Sequence, residues 1–111
     1  MKLSTILEGE LWRRMYDGAI LPTATLSEAD GVSFLCPKCF TENGGNVGTH
    51  RVLCWFAGRV PDDLDPKPGR WHPAGASLED LTFIGPGSVS VELVGGCQWH
   101  GFVRNGEATL Q

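Results

Sequence analysis

The sequence predicts a small, mainly β fold, with a small α+β arrangement as the alternative. Three observations carry this. Glycine (15) and proline (7) together make about a fifth of the 111 residues, which suits short strands and many turns. Apolar side chains alternate along several short runs, the period of a strand. Asn105-Gly106 lies between two short apolar runs, the pattern of a two-residue hairpin loop.

Taken in order, Leu7, Leu11, Trp12, Met15, Tyr16 and Ala19 fit a short helix over 9–17, bracketed by Gly9 and Gly18. A strand pair through the same region is the alternative. Gly31–Leu35 reads as a strand running into Cys36. Residues 41–48, rich in Gly and Asn, form a loop. Residues 49–57 are the clearest strand. His50, Val52, Cys54 and Phe56 share one face, Leu53 and Trp55 the other, so a central, covered strand is expected.

Residues 59–77 carry four prolines, three aspartates and two glycines, with no periodicity. Loops of that length are uncommon in compact domains unless functional or disordered. Residues 77–80 suit one helical turn, and Gly85-Pro86-Gly87 a turn. Residues 88–94 alternate, with Val89, Val91 and Leu93 facing in and Ser90 and Glu92 out. Phe102-Val103 and Ala108-Thr109-Leu110 flank the Asn105-Gly106 turn. No repeat or boundary interrupts the chain, so 1–111 is expected to be one domain.

Two short clusters carry chemistry: Cys36-Pro37-Lys38-Cys39 and Cys97-Gln98-Trp99-His100. Each places two soft ligands three positions apart, where a tight turn aims both at one ion. Together they make a Cys₃His set suited to tetrahedral Zn²⁺. With four protein ligands no position is left for substrate or water, so the metal reads as structural. A turn after a strand is the setting of a zinc knuckle, and the fold is read as zinc-knuckle- or zinc-ribbon-like. Pro37 presets one turn dihedral. Gly95-Gly96 allow a sharp approach, and Gly101 is expected at positive φ. Phe40 stands where the first knuckle would usually carry glycine. The 57 residues between the clusters would form the body of the domain.

Cys54, within an apolar strand, reads as an inert core thiol. His50 reads as a core histidine, with a substitute-ligand role for it or Cys54 as the alternative. His72 reads as solvated.

Enzyme motifs fit poorly. Cys-Pro-x-Cys after a strand resembles a glutaredoxin-type redox motif, but residues 40–45 do not read as the helix that would activate its first thiolate. A zinc deaminase needs a His-x-Glu upstream of Cys-x-x-Cys, and a zincin needs His-Glu-x-x-His; neither is present. The acidic residues Asp62, Asp63 and Asp65 read as a solvated loop.

The net charge is −4, with 5 basic and 6 acidic residues through Trp55 and 4 and 7 after it. No stretch is basic, so a nucleic-acid grip is disfavoured. Residues 1–8 do not read as a signal peptide, and no run reaches the ~18 apolar residues of a membrane span. A cytoplasmic location is expected, where thiols stay reduced.

The chain resembles a family of small zinc-site proteins from phages and bacteria. The likeness lies in Phe34-Leu35-Cys36-Pro37-Lys38-Cys39-Phe40, Asn43-Gly44-Gly45, Gly48-Thr49-His50 and Cys54-Trp55-Phe56. It continues in Gly58-Arg59-Val60-Pro61-Asp62-Asp63, Pro68-Gly69-Arg70-Trp71 and Gly96-Cys97-Gln98-Trp99-His100-Gly101-Phe102-Val103. It covers roughly residues 31–110, and it implies a single zinc-site domain of phage or prophage origin. Some relatives carry an ammonia monooxygenase label. This chain has neither the membrane spans nor the copper-site histidines such an enzyme requires.

The expectation is therefore a zinc-stabilised binding or accessory module that contacts a host or phage protein. Arg59, Arg70, Trp71 and His72 of the long loop are its expected partner-binding residues, since Trp and Arg dominate binding hot spots. The alternative is a small metal-dependent or thiol-redox enzyme using the 59–77 loop, His50 and His72.

Overall fold

The computed structural model describes residues 1–86 and 89–110. In chain order it forms β1 (Glu10–Arg14), β2 (Ile20–Thr23), a 3₁₀ turn at Leu26–Glu28, β3 (Gly31–Leu35), α1 (Pro37–Asn43) and β4 (Arg51–Trp55). There follow β5 (His72–Ala74), β6 (Thr82–Ile84), β7 (Ser90–Glu92), β8 (His100–Arg104) and β9 (Glu107–Ala108). Three antiparallel sheets result, ordered β2-β1-β3-β4, β5-β6 and β7-β8-β9. The protein is mostly β, as its turn-rich, alternating sequence predicts.

The helix expected over 9–17 is a hairpin instead. β1 pairs with β2 from Leu11↔Thr23 to Arg14↔Ile20, around a turn at Gly18. The helical spacing was coincidental. Leu7 is buried in an irregular turn, and Leu11 is buried from a strand. Trp12 lies on the opposite face of β1 and donates its Nε1–H to Ser33 Oγ at 2.8 Å. Tyr16, which a helix would have placed one turn after Trp12, is 98% exposed at the hairpin tip.

β3 forms over the residues expected, and all five are buried. β4 is not the central strand that its two apolar faces suggested. It is the edge of its sheet, and β3 holds the centre between β1 and β4. The far side of Trp55 is covered by the long loop, whose Trp71 N–H bonds the Trp55 carbonyl at 3.2 Å. That cover gave β4 the pattern of an inner strand.

Aromatic rings join the sheets. Phe34 of β3 meets Trp99 edge to face at 5.9 Å, and Phe83 of β6 stacks on Trp71 at 5.7 Å. The N-terminus closes onto β9: Met1 donates to the Ala108 carbonyl at 3.0 Å and accepts from its N–H at 2.9 Å. The long loop is not wholly irregular, since β5 lies inside it and pairs with β6. Residues 77–80 make a turn rather than a helix, and the Asp80 carboxylate accepts the Ala76 and Ser77 N–H groups. β7 keeps the expected alternation around buried Val91, while Gly87 and Ser88 of the predicted turn and strand lie outside the described residues.

The Asn105-Gly106 hairpin is present, with φ of 50° and 75°, the mirror-image turn that matches strand twist. Its first strand, β8, begins at His100, the last residue of the second cluster. A Cβ at Gly106 would run into the Glu79 carbonyl and come within 2.9 Å of the Leu78 carbonyl. Gly106→Val combines that clash with a forbidden φ. It is expected to lower the melting temperature by several degrees, and an unchanged melting point would mean that another turn is used.

Candidate metal centre

The first ligand pair opens α1. Cys36 is the N-cap residue with extended φ and ψ, and Pro37 occupies the first helical turn, where its missing N–H costs nothing. Cys39, three residues on, lies on the same side of the turn. The expectation that residues 40–45 are non-helical is corrected here: α1 runs to Asn43 and ends on Gly44 at φ 70°. Burial, then the neighbouring Cys97 thiol, push the Cys36 thiol up against the pull of the Cys39 and Lys38 N–H groups. A glutaredoxin-type nucleophile requires the reverse.

The second cluster sits in a turn with Gly96 at φ 59° and Gln98 at φ 56°. Lys38 Nζ donates to the Cys97 carbonyl at 2.7 Å and ties this turn to α1. The third contribution is His50, just before β4. The Cys36 N–H donates to the His50 carbonyl at 2.9 Å, which extends the β3–β4 ladder and sets His50 opposite Cys36.

Cys36, Cys39, His50 and Cys97 thus converge, with one donor atom from each lying within 4.8 Å of the others. Cys36 Sγ is 3.5 Å from Cys97 Sγ, and His50 Nε2 is 3.4 Å from Cys97 Sγ. Zinc bonds of ~2.3 Å to sulfur and ~2.0 Å to nitrogen give tetrahedral edges of about 3.8 and 3.5 Å. The donor set therefore fits one zinc ion in chemistry and in size. All four cysteines are free thiols.

Electrostatics agree with a thiolate site. Burial alone would raise the Cys97 thiol, but the His50 imidazole, the Trp99 N–H and the other two thiols outweigh it and bring it to about 7. Burial first, then the Cys97 and Cys36 thiols, push Cys39 up to about 12. Three thiols crowded together resist sharing negative charge, and a divalent cation removes that conflict.

The predicted ligand set is corrected at one position: His50, not His100, joins the three cysteines. The cause is strand alternation after Cys97. Trp99, Gly101 and Val103 turn into the core, so His100, Phe102 and Arg104 turn outward. Trp99 is 1% exposed and donates its Nε1–H to the Thr109 carbonyl at 3.1 Å. Burying ~200 Å² of indole is worth about 5 kcal/mol, which fixes this phase of the strand. His100 instead lies beside the Phe102 ring, 6.3 Å between centroids. Gly101 also differs from expectation. It is not a positive-φ residue; a Cβ there would strike the Thr109 carbonyl and come within 2.9 Å of the Trp99 ring.

Cys54 is fully buried opposite Val32, outside the metal group, and burial pushes its thiol up. The four expected partner-binding residues do not form one free surface. Arg59 donates to the Leu26 and Ala29 carbonyls at 2.8 and 2.6 Å. Arg70 binds the carbonyls of Pro61, Asp62, Leu64, Pro66 and Gly69, and so holds its own loop in shape. Trp71 stacks on Phe83 and donates to the Ser90 carbonyl. His72 is half-buried in β5, opposite Ile84.

Fold and site together define a small, mostly β protein with a Cys₃His group able to hold a metal ion. Compared with protein-family models, curated proteins and solved structures, the chain has no match. Among the described residues, no helix is long and apolar enough to cross a membrane.

Proposed function

We propose that the protein is a zinc-stabilised binding module, with the ion structural rather than catalytic. The observation that carries this is the closed donor set: Cys36, Cys39, His50 and Cys97 supply four ligands at tetrahedral spacing. A catalytic zinc keeps a position open for water or substrate. The N–H groups of Lys38, Cys39 and Trp99 directed at the Cys36 and Cys97 sulfurs add support for a knuckle-like site.

The partner surface is then an apolar groove of ≈ 360 Å³ with Val52, Leu53, Pro68, Trp71, Leu93 and Val94 among its walls. It takes up the long loop, but through exposed Pro68 and stacked Trp71 rather than free arginines. Two strand edges bound it. The bonds Cys36 N–H to His50 and Phe56 N–H to Asp30 point alternate β4 residues at β3, so Leu53 turns its backbone outward. In β7, Leu93 N–H bonds the Trp99 carbonyl, so Glu92 faces outward likewise. Outward peptide groups beside apolar walls suit an extended peptide segment added as a strand. The partner would be a host or phage protein, in line with the phage or prophage origin that the sequence resemblance implies. Thiolate ligands require a reducing compartment, which fits the cytoplasm.

The test is selection of binders from a library of extended peptides, followed by Val94→Glu. Val94 is 93% exposed, so the substitution should leave the melting temperature unchanged and abolish binding. Binding that survives Val94→Glu places the interface elsewhere.

The Cys97–His50 pair supports a second reading, a thiol enzyme with His50 as base. Stoichiometric zinc on these two side chains would exclude it.

A further inference from the structure

We infer that the metal centre is a peroxide-sensitive switch, in which Cys36 and Cys97 join as a disulfide and release the ion while the protein stays folded. This rests on the zinc reading above. The two sulfurs are 3.5 Å apart and need to close to about 2.0 Å. They also differ in access. Cys36 is fully buried, Cys97 is half-buried and His50 is exposed at the rim. Of this pair an oxidant from solvent therefore meets Cys97 before Cys36, which is placed at 3.5 Å as the resolving thiol; half-buried Cys39 is the competing site that the disulfide mapping below tests.

The chemistry balances with hydrogen peroxide as the two-electron oxidant. The Cys97 thiolate attacks one peroxide oxygen. An S–O bond forms, the O–O bond breaks and hydroxide leaves. The Cys36 thiolate then attacks Cys97 Sγ, so the S–S bond forms, the S–O bond breaks and a second hydroxide leaves. Both hydroxides take up protons and end as water. Two sulfurs have lost two electrons, and peroxide has gained them. Cys39 and His50 remain, too few to retain the ion. A dithiol reverses the step by exchange.

The pairing decides the outcome. Cys36 opens α1 and Cys97 lies in the turn before β8, the two segments that the ion also joins. The disulfide replaces that link, so oxidised, metal-free protein keeps its sheets. Removal of zinc from the reduced protein breaks the link and unfolds it. Two folded states result, differing in whether Cys39 and His50 are bound or free.

The experiment uses the intact zinc-loaded chain and a few equivalents of hydrogen peroxide. Zinc is measured before and after, the disulfide is mapped by tryptic mass spectrometry, and folding is followed by circular dichroism. Cleavage after Lys38 separates Cys36 from Cys39, so the pairing is unambiguous. The expected result is release of one zinc per chain, a Cys36–Cys97 crosslink, a retained melting transition, and recovery with dithiothreitol and zinc. Full zinc before peroxide and none released overturns the switch alone. A Cys36–Cys39 crosslink, a sulfinic acid at Cys97, or loss of the fold on oxidation overturns it too. Zinc well below one equivalent before peroxide overturns the zinc reading and the switch with it.

Discussion

Cys97→Ser is expected to leave a chain that does not fold stably, whereas Cys54→Ser keeps its zinc and loses about 1–3 kcal/mol. Cys97 stands at the centre of the ligand group, 3.5 Å from Cys36 Sγ and 3.4 Å from His50 Nε2. Structural zinc contributes on the order of 10 kcal/mol or more, as much as the whole stability of a domain this size. Serine offers a hard, protonated oxygen in place of a thiolate, and most of that contribution is lost. Cys54 is fully buried, more so than half-buried Cys97, but lies outside the metal group; its replacement places one hydroxyl in an apolar site. Metal content and thermal unfolding of the two variants separate the roles. Equal behaviour would mean that the ligands are misassigned. Acid should mimic Cys97→Ser, because protons compete with zinc for thiolates and imidazole, so zinc is lost as pH falls.

Trp99→Ala is expected to cost about 3–5 kcal/mol, the range for emptying a buried large aromatic site. Trp99 packs edge to face on Phe34 and bonds the Thr109 carbonyl, so it joins the β7-β8-β9 sheet to β3. It also follows Cys97 by two residues and sets the phase of β8. Zinc affinity should fall with stability, since the turn that presents Cys97 loses its anchor. Denaturant unfolding at saturating zinc measures the first effect, and competition with a chelator the second. A loss below 1 kcal/mol would show that the indole is not the anchor.

Much of this was legible in the sequence, and the failures have physical causes. Gly31–Leu35 was readable because strand pattern and flanking signals agree, and Asn105-Gly106 because few dipeptides tolerate two positive φ values. Cys36 and Cys39 were readable from spacing, since a turn forces neighbours in sequence to be neighbours in space, whereas Cys97 was named through a Cys-x-x-His spacing whose histidine lies outside the group. His50 was not. It reaches the site through the β3–β4 register, across the segment 37–49, and no local pattern encodes that register. Its one signal was sharing a strand face with Cys54. His100 had the better spacing but lost to Trp99, because adjacent residues of a strand cannot both face inward. The N-terminal hairpin was misread for a related reason: Leu7 and Leu11 are buried by separate elements, which mimicked one helical face. Arg59 and Arg70 looked like free hot-spot residues because sequence does not reveal that backbone carbonyls already occupy them.

The most direct measurement is zinc-edge X-ray absorption on protein purified without added metal, repeated on His50→Ala and His100→Ala. The predicted spectrum shows one zinc with three sulfurs near ~2.3 Å and one nitrogen near ~2.0 Å. His100→Ala should leave it unchanged, and His50→Ala should lose the nitrogen shell. A nitrogen shell that survives His50→Ala and disappears in His100→Ala would contradict the ligand set of Cys36, Cys39, His50 and Cys97.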